Sequence, residues 1–355
     1  MGRILFCSLG LAVLPIVPAI ATPLPADVRS ADVAAFRLED VPRYVDGQDP
    51  SVMAQDIAAM AQDTTGTAPS PSVAEPVQGP VVTPPVTMAA DGKPAPDPSR
   101  YRNLGSQIHA VRYEMLAILA YYTAINAPKL FEDPIWPHFH NEHWFGKSTN
   151  NVGMDKLAHA YSTYVISELI WWRLKHKTGG APGIQYTAAL LGSLTMLQTE
   201  FWDSIEPGGG WSWQDVTFNT LGAGFSILRN SVPGLDEKLD YRLMVVPDEN
   251  GIRVRGKEHF QQQRYFFALK LSGFKTFEKS PFRFLELHAG YYGQNFTNDD
   301  RAHHIDPKRH LFVGFGVNLR ELFFKNSKGK IAHAAAEALD YFQPPYTAVQ
   351  ISLTD

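Results

Sequence analysis

Gly153-Met-Asp-Lys-Leu-Ala-His-Ala-Tyr-Ser-Thr-Tyr164 sets an acid, a lysine, a histidine and two hydroxyls into an otherwise apolar helical run. Asp155 and His159 stand four residues apart, so they share a helix face that Ser162 and Thr163 extend, with Lys156 beside it. A carboxylate so placed can orient an imidazole and fix its tautomer. The plainer alternative is that Asp155 caps the helix and His159 is a hydrogen-bonded buried histidine.

Three further helical segments surround this one. Periodicity and stop signals predict helices over 106–126, ended by Pro128; 154–175, ended by Gly179 and Gly180; 184–203, ended by Pro207 and three glycines; and 213–229, with Ser212 as N-cap and Pro233 beyond. From Leu157 to Trp172 the apolar run is about 16 residues, roughly 24 Å against roughly 30 Å of bilayer hydrocarbon. That is short for spanning. The helices are nonetheless apolar on most faces, and Tyr121, Tyr122, Trp171 and Trp172 suit a membrane interface. A membrane-seated bundle is the primary expectation, and the buried core of a water-soluble one the alternative.

After Pro233 the period changes. Residues 241–246 and 252–255 flank Pro247-Asp-Glu-Asn-Gly251 and predict a hairpin. Alternation predicts strands over 264–272, 283–292, 310–320 and 346–353, with a short helix over 331–341. The aromatic alternation resembles outer-membrane barrel strands, but about six strands fall short of the roughly eight of a closed barrel. An antiparallel meander packed on the helices is expected. The fold class is therefore α+β: a four-helix membrane-seated bundle followed by an antiparallel β-meander, preceded by a disordered tether.

The first 21 residues have a charged start, an apolar core broken by prolines and Ala19-Ile-Ala21 as a small-x-small cleavage site, which predicts an exported chain. Cys7, the only cysteine, lies inside that segment and not at a lipoprotein cleavage point, so the mature chain is expected to have no thiol or disulfide. Residues 22–100 hold 11 acidic and 5 basic residues, are rich in Pro, Ala, Asp, Ser and Thr, and read as a disordered linker, with local helix over 31–38 and 51–62 and a polyproline-like end over 69–98. A helical module over 101–232 and a strand-rich module over 233–355 follow. The formal charge of −4 and the absence of a basic cluster exclude nucleic acid as an expected partner.

Two more acid-containing pairs lie near helix ends: Glu200 with Asp203 at the end of the third helix, and Asp215 with Asn219 at the start of the fourth. In an up-down bundle, the start of the second helix, the end of the third and the start of the fourth share one side. Asp155, Lys156, His159, Glu200, Asp203, Asp215 and Asn219 are therefore expected to converge. Such a set can bind a divalent metal, move a proton or, through Lys156, hold a phosphate; it can equally be a buried network that fixes helix register. Upstream, His138, His140 and His143 with Glu142 fit no zinc signature and read as an aromatic interface loop; His303, His304 and His310 read as solvated. No nucleotide loop, nucleophile elbow or zinc-protease signature is present, and no cofactor or metal is assigned.

Met154-Asp-Lys-x-x-His159-Ala-Tyr-Ser-Thr, then Glu200-x-x-Asp203, then Trp-Ser212-Trp-x-Asp215-x-x-x-Asn219-x-x-Gly222 resembles the YfiM-like family of predicted periplasmic or envelope proteins of unknown function. The same elements are more distantly similar to VanZ-like membrane proteins. The resemblance implies a multi-helix envelope protein near membrane lipid and transfers no established reaction. The expected function is recognition of a polar or phosphorylated lipid head group. His159, Glu200 and Asp155 are the candidate catalytic, proton-handling residues, and Lys156, Asp203, Asp215 and Asn219 the ligand contacts. The expected partner is a membrane lipid or envelope component, with no protein partner identified. The alternative is a non-enzymatic envelope scaffold whose buried polar residues are structural.

Overall fold

A computed structural model describes residues 95–354 apart from 255, 326 and 328. The expected export signal, most of the expected linker and the two local helices expected within it lie outside the described residues. Asp97 opens the ordered chain by accepting from Ser99 N (2.9 Å) to cap a 3₁₀ turn, Pro98–Tyr101.

The first expected helix is two, α1 (Leu104–Ala110) and α2 (Arg112–Asn126), broken at Val111, whose amide turns back to the Ile108 carbonyl while its side chain is fully buried. The break lets Gln107 on α1 donate to the Tyr101 and Pro182 carbonyls. Helix α3 (Met154–Thr178) lies between Gly153 and Gly179, both at positive φ. Helix α4 (Ile184–Ser204) follows Gly183, and α5 (Trp213–Ser231) starts at Ser212, whose hydroxyl accepts from Asp215 N (3.3 Å). Val111, Met115, Tyr122, Ile166, Ile170 and Leu191 share one apolar core.

Close backbone approach joins the central three helices. A Cβ on Gly222 of α5 would stand 2.0 Å from the Ala160 carbonyl oxygen of α3, and one on Gly192 of α4 would stand 2.2 Å from Ser167 Oγ. Among the described residues no helix is long and apolar enough to cross a membrane. In α3 the interruption is visible: Lys156, Ser162, Thr163, Ser167 and Glu168 are all buried polar residues.

The sheet comprises β1 (Leu239–Val245), β2 (Gln263–Lys270), β3 (Leu285–Gln294), β4 (Lys308–Val317), β5 (Phe342–Gln343) and β6 (Ala348–Ser352), in the order β5-β1-β2-β3-β4-β6. Strands β1 to β4 form the expected antiparallel meander, but β5 pairs parallel with β1, so the sheet is mixed. Of the expected hairpin partner at 252–255, the described residues 252–254 are not strand. The turn itself closes between Asp248 and Gly251, but Arg253 N then bonds Gln262 Oε1, a short helix α6 (Gly256–Gln261) intervenes, and β2 takes the edge of β1. His310 is not solvated either: it is buried on β4, stacked on Tyr292 at 4.5 Å.

Edge strands β5 and β6 are joined by residues 344–347 alone. In a flat six-stranded sheet they would lie roughly 24 Å apart, beyond the roughly 18 Å that this link can span. The sheet is therefore rolled, and Gln343 Nε2 donates to Thr347 Oγ1 (2.6 Å) across the join.

Alternation divides the two faces sharply. One buries Asp240, Arg242, Lys270, Glu286 and His288. Arg242 holds Glu286 through both terminal nitrogens (2.8 and 3.0 Å) and Asp240 at 2.6 Å, while Lys270 meets Asp240 at 2.8 Å. Burial opposes charge on Asp240, but Lys270 and Arg242 outweigh it and keep that carboxyl well below its usual range. The other face is apolar. Tyr241, Leu243 and Tyr265 pack under Tyr161 and Tyr164 of α3, whereas Phe267, Leu287, Leu311, Val313, Phe315, Val349 and Ile351 are 42–62% exposed.

Gly222→Ala should lower stability by about 1–3 kcal/mol, because the added carbon meets backbone. Gly224→Ala, where nothing lies within 4 Å, should leave the melting temperature unchanged or raise it. Thermal melts of the two variants test the α3–α5 contact.

Candidate functional site

Three helix ends meet as expected, together with the loop over 134–145. Asp155, Lys156 and His159 come from the first turns of α3, Glu200 and Asp203 from the last turn of α4, and Asp215 and Asn219 from the first turns of α5. The loop is fastened across the start of α5 by backbone bonds from Trp211 N to the His138 carbonyl (2.8 Å) and from His140 N to the Trp211 carbonyl (3.0 Å). That fastening carries Glu142 into the site.

The Lys156 ammonium is enclosed by carboxylates from three segments: Asp155 Oδ2 at 2.8 Å, Asp215 Oδ1 at 2.9 Å, and Glu142 Oε2. One helical turn on, His159 Nδ1 lies 3.2 Å from both Glu200 Oε1 and Asn219 Oδ1, and Nε2 lies 3.8 Å from Asp215 Oδ2. The Thr163 hydroxyl lies 3.0 Å from Asn219 Oδ1, and Asn219 Nδ2 donates to Glu200 Oε1 (3.4 Å). The His159 side chain keeps 17% of its surface exposed, while Glu200 is fully buried. Within the His159, Glu200 and Asp215 group, His159 is the member most open to solvent.

Four carboxylates face one ammonium and one imidazole, and their protonation divides accordingly. Burial, reinforced by the Asp215 charge, pushes Glu142 up to about 8. Burial also raises Glu200 to about 8, against the pull of His159. For Asp215 burial is outweighed by His159 and Lys156, and the carboxyl is held low. Burial opposes charge on His159 as well, but Asp215 and Glu200 prevail and lift it to about 9. The acids dispose His159 to hold a proton and burial disposes Glu200 to hold one, while Asp215 is held low, so the group can donate and accept protons on adjacent atoms.

Two expected contacts differ. Asp155 turns to Lys156 and not to His159, whose partners come from α4 and α5. Asp203 pairs with Lys129 in the 3₁₀ turn Ala127–Phe131, which Glu206 also contacts (3.0 Å), and acts on His159 only through its field. Lys156, saturated by acids, is not free to hold a phosphate. His138 Nδ1 meets the Ser204 carbonyl (2.9 Å) and His143 is exposed, so the upstream histidines do not converge on Glu142. Glu142 is the residue whose site role the sequence reading missed; the signal was Lys156, a cation on an apolar helix that needs more than one acid to be buried.

The ligating atoms of His159, Glu200 and Asp215 lie within 4.8 Å of one another, as do those of Glu142, Asp155 and Asp215. Either triad has the donor types for a cation.

A family model described as "predicted periplasmic lipoprotein (DUF2279)" matches residues 141–231. That stretch contains Glu142 and every expected site residue and stops at the end of α5, before the sheet. The match supports a periplasmic or envelope location and assigns no activity; it carries the family resemblance at that level and not to the YfiM-like or VanZ-like groups. No curated protein and no solved structure matches the chain.

Because Glu142 is raised from an ordinary 4.5 to about 8, the stability it contributes is fully present below pH 4.5 and is lost as pH rises through about 8. Glu142→Gln, an isostere of the protonated acid, should melt close to the wild type at pH 6 and resist by roughly 1–3 kcal/mol the loss the wild type shows by pH 9. Melting curves across that range check the sign; a parallel decline in both proteins would contradict it.

Proposed function

We propose that this envelope protein works at a lipid surface, seating its apolar exterior in the membrane and presenting His159 and Glu200 to a polar, hydroxyl-bearing lipid head group. The observation that carries the reading is the polarity of the rolled sheet, charged and ion-paired within, apolar and exposed without. The helices continue the pattern: Tyr186, Leu190, Leu194 and Phe201 form an exposed stripe along α4, as do Trp213, Leu221 and Leu228 on α5. An apolar exterior of this breadth is a liability in water and ordinary in lipid. The Asp-Lys-x-x-His likeness to VanZ-like membrane proteins and the envelope likeness to the YfiM-like family agree with it.

Exposed aromatics gather at the site end. Trp136 is 91% exposed, and Phe139 stacks on Trp213 at 6.2 Å with the rings 7° from parallel. Such residues favour the head-group layer, which supports a site held at that depth. The chemistry offered there sets donors and acceptors side by side, which suits a hydroxyl, able to be both, better than a bare phosphate. The scaffold reading is favoured by one observation, the complete enclosure of Lys156, a structural pairing with nothing left over for a ligand.

Full-length protein should float with vesicles of envelope phospholipid and resist a carbonate wash. Val313→Asp combined with Ile351→Asp, both at exposed positions, should weaken flotation by about tenfold or more without loss of folded protein. Free passage of the wild type into the aqueous fraction would overturn the reading.

A further inference from the structure

The two carboxylate-rich triads differ in one respect: one already contains its cation. The Lys156 ammonium sits among Glu142, Asp155 and Asp215, where a metal ion would otherwise neutralise them. His159, Glu200 and Asp215 have no such occupant. Glu200 is fully buried and its Oε2 has no hydrogen-bond partner, the Ser212 backbone giving the carboxylate only partial support against burial. An acceptor left open in a buried position is costly unless something fills it.

We infer that His159, Glu200 and Asp215 form a binding site for a divalent transition-metal cation of the Mn²⁺ or Zn²⁺ kind. One imidazole and two carboxylates make a mixed nitrogen and oxygen donor set, which suits such an ion better than the all-oxygen shells of Ca²⁺ or Mg²⁺. The three ligating atoms lie within 4.8 Å, so a displacement of some tenths of an ångström brings them onto a common ion at roughly 2.0–2.2 Å each. His159 Nδ1 faces Glu200 Oε1 and Nε2 faces Asp215 Oδ2, so the imidazole stands between the two acids, and Asn219 Oδ1, accepting from Nδ1, is the outer contact that holds the ring. Thr163 steadies Asn219 in turn. Three protein ligands leave coordination positions open on the exposed side of His159, where a hydroxyl oxygen can bind. The inference rests on the lipid reading for the identity of that oxygen, but not for the ion.

Full-length protein, stripped with chelator and dialysed, is titrated with MnCl₂ and with ZnCl₂ by calorimetry. One ion per chain is expected, with a higher melting temperature in its presence. His159→Gln and Glu200→Gln should each weaken binding by more than about tenfold, whereas His143→Gln, on the exposed loop, should not. No heat and no thermal shift with either ion, or full-strength binding retained by both site variants, would overturn the assignment. Should the variants fail to fold, Co²⁺ substitution in the wild type decides. A spectrum of ligated, less than six-coordinate cobalt supports the site, and that of the hydrated ion overturns it. Ion binding without vesicle flotation would leave this site standing and remove the lipid reading; flotation without ion binding would do the reverse.

Discussion

An ammonium group buried at the meeting point of three chain segments organises this molecule. Lys156 cannot be charged at that depth unless acids surround it, and no single segment supplies enough of them: Asp155 comes from its own helix, Asp215 from α5 and Glu142 from the loop fastened over α5. The pairing therefore fixes the relation of α3 to α5 and draws the loop down over both. Once α3 and α5 are locked, with Gly222 against Ala160, His159 lies between Asp215 and Asn219 of α5 and Glu200 of α4. The site's acidity follows. Asp215 serves Lys156 through one oxygen and His159 through the other, and this shared acid is what sets the two triads side by side.

The same rule is applied a second time inside the rolled sheet. Asp240 lies between Arg242, Lys270 and Arg229, and Arg229 reaches on to Glu168 of α3 (2.7 Å). Helix α3 is thus bound by ion pairs at its first turn and again past its middle, and both anchors are shielded from water.

Much of the helical half was legible because its signals are local. Gly153, Gly179, Ser212 and Pro233 punctuate the chain, and periodicity fills the intervals, so three of four helices lie within a few residues of expectation. The break at Val111 was not, since its cause is a core position and not a turn residue. Strands β2, β3, β4 and β6 were also visible from alternation. The pairing of two-residue β5 with β1 was not: its register depends on the curl of the whole sheet. At the site, spacing located the helical acids but neither their partners nor Glu142, which a loop brings in. Asp155 and His159 share a helix face, yet each is satisfied by a different neighbour, and only the fold decides which.

The short link at 344–347 has a consequence for how the chain acquires its structure. Strands β5 and β6 cap opposite edges of one sheet and follow β1–β4 in the chain. Until residues 342–352 are in place, β1 and β4 each present an unpaired edge beside strongly apolar side chains, the combination that invites pairing with another chain. Closure of the sheet then waits on this short segment, and the interval before it is when a holding chaperone, or an early encounter with lipid, would matter most.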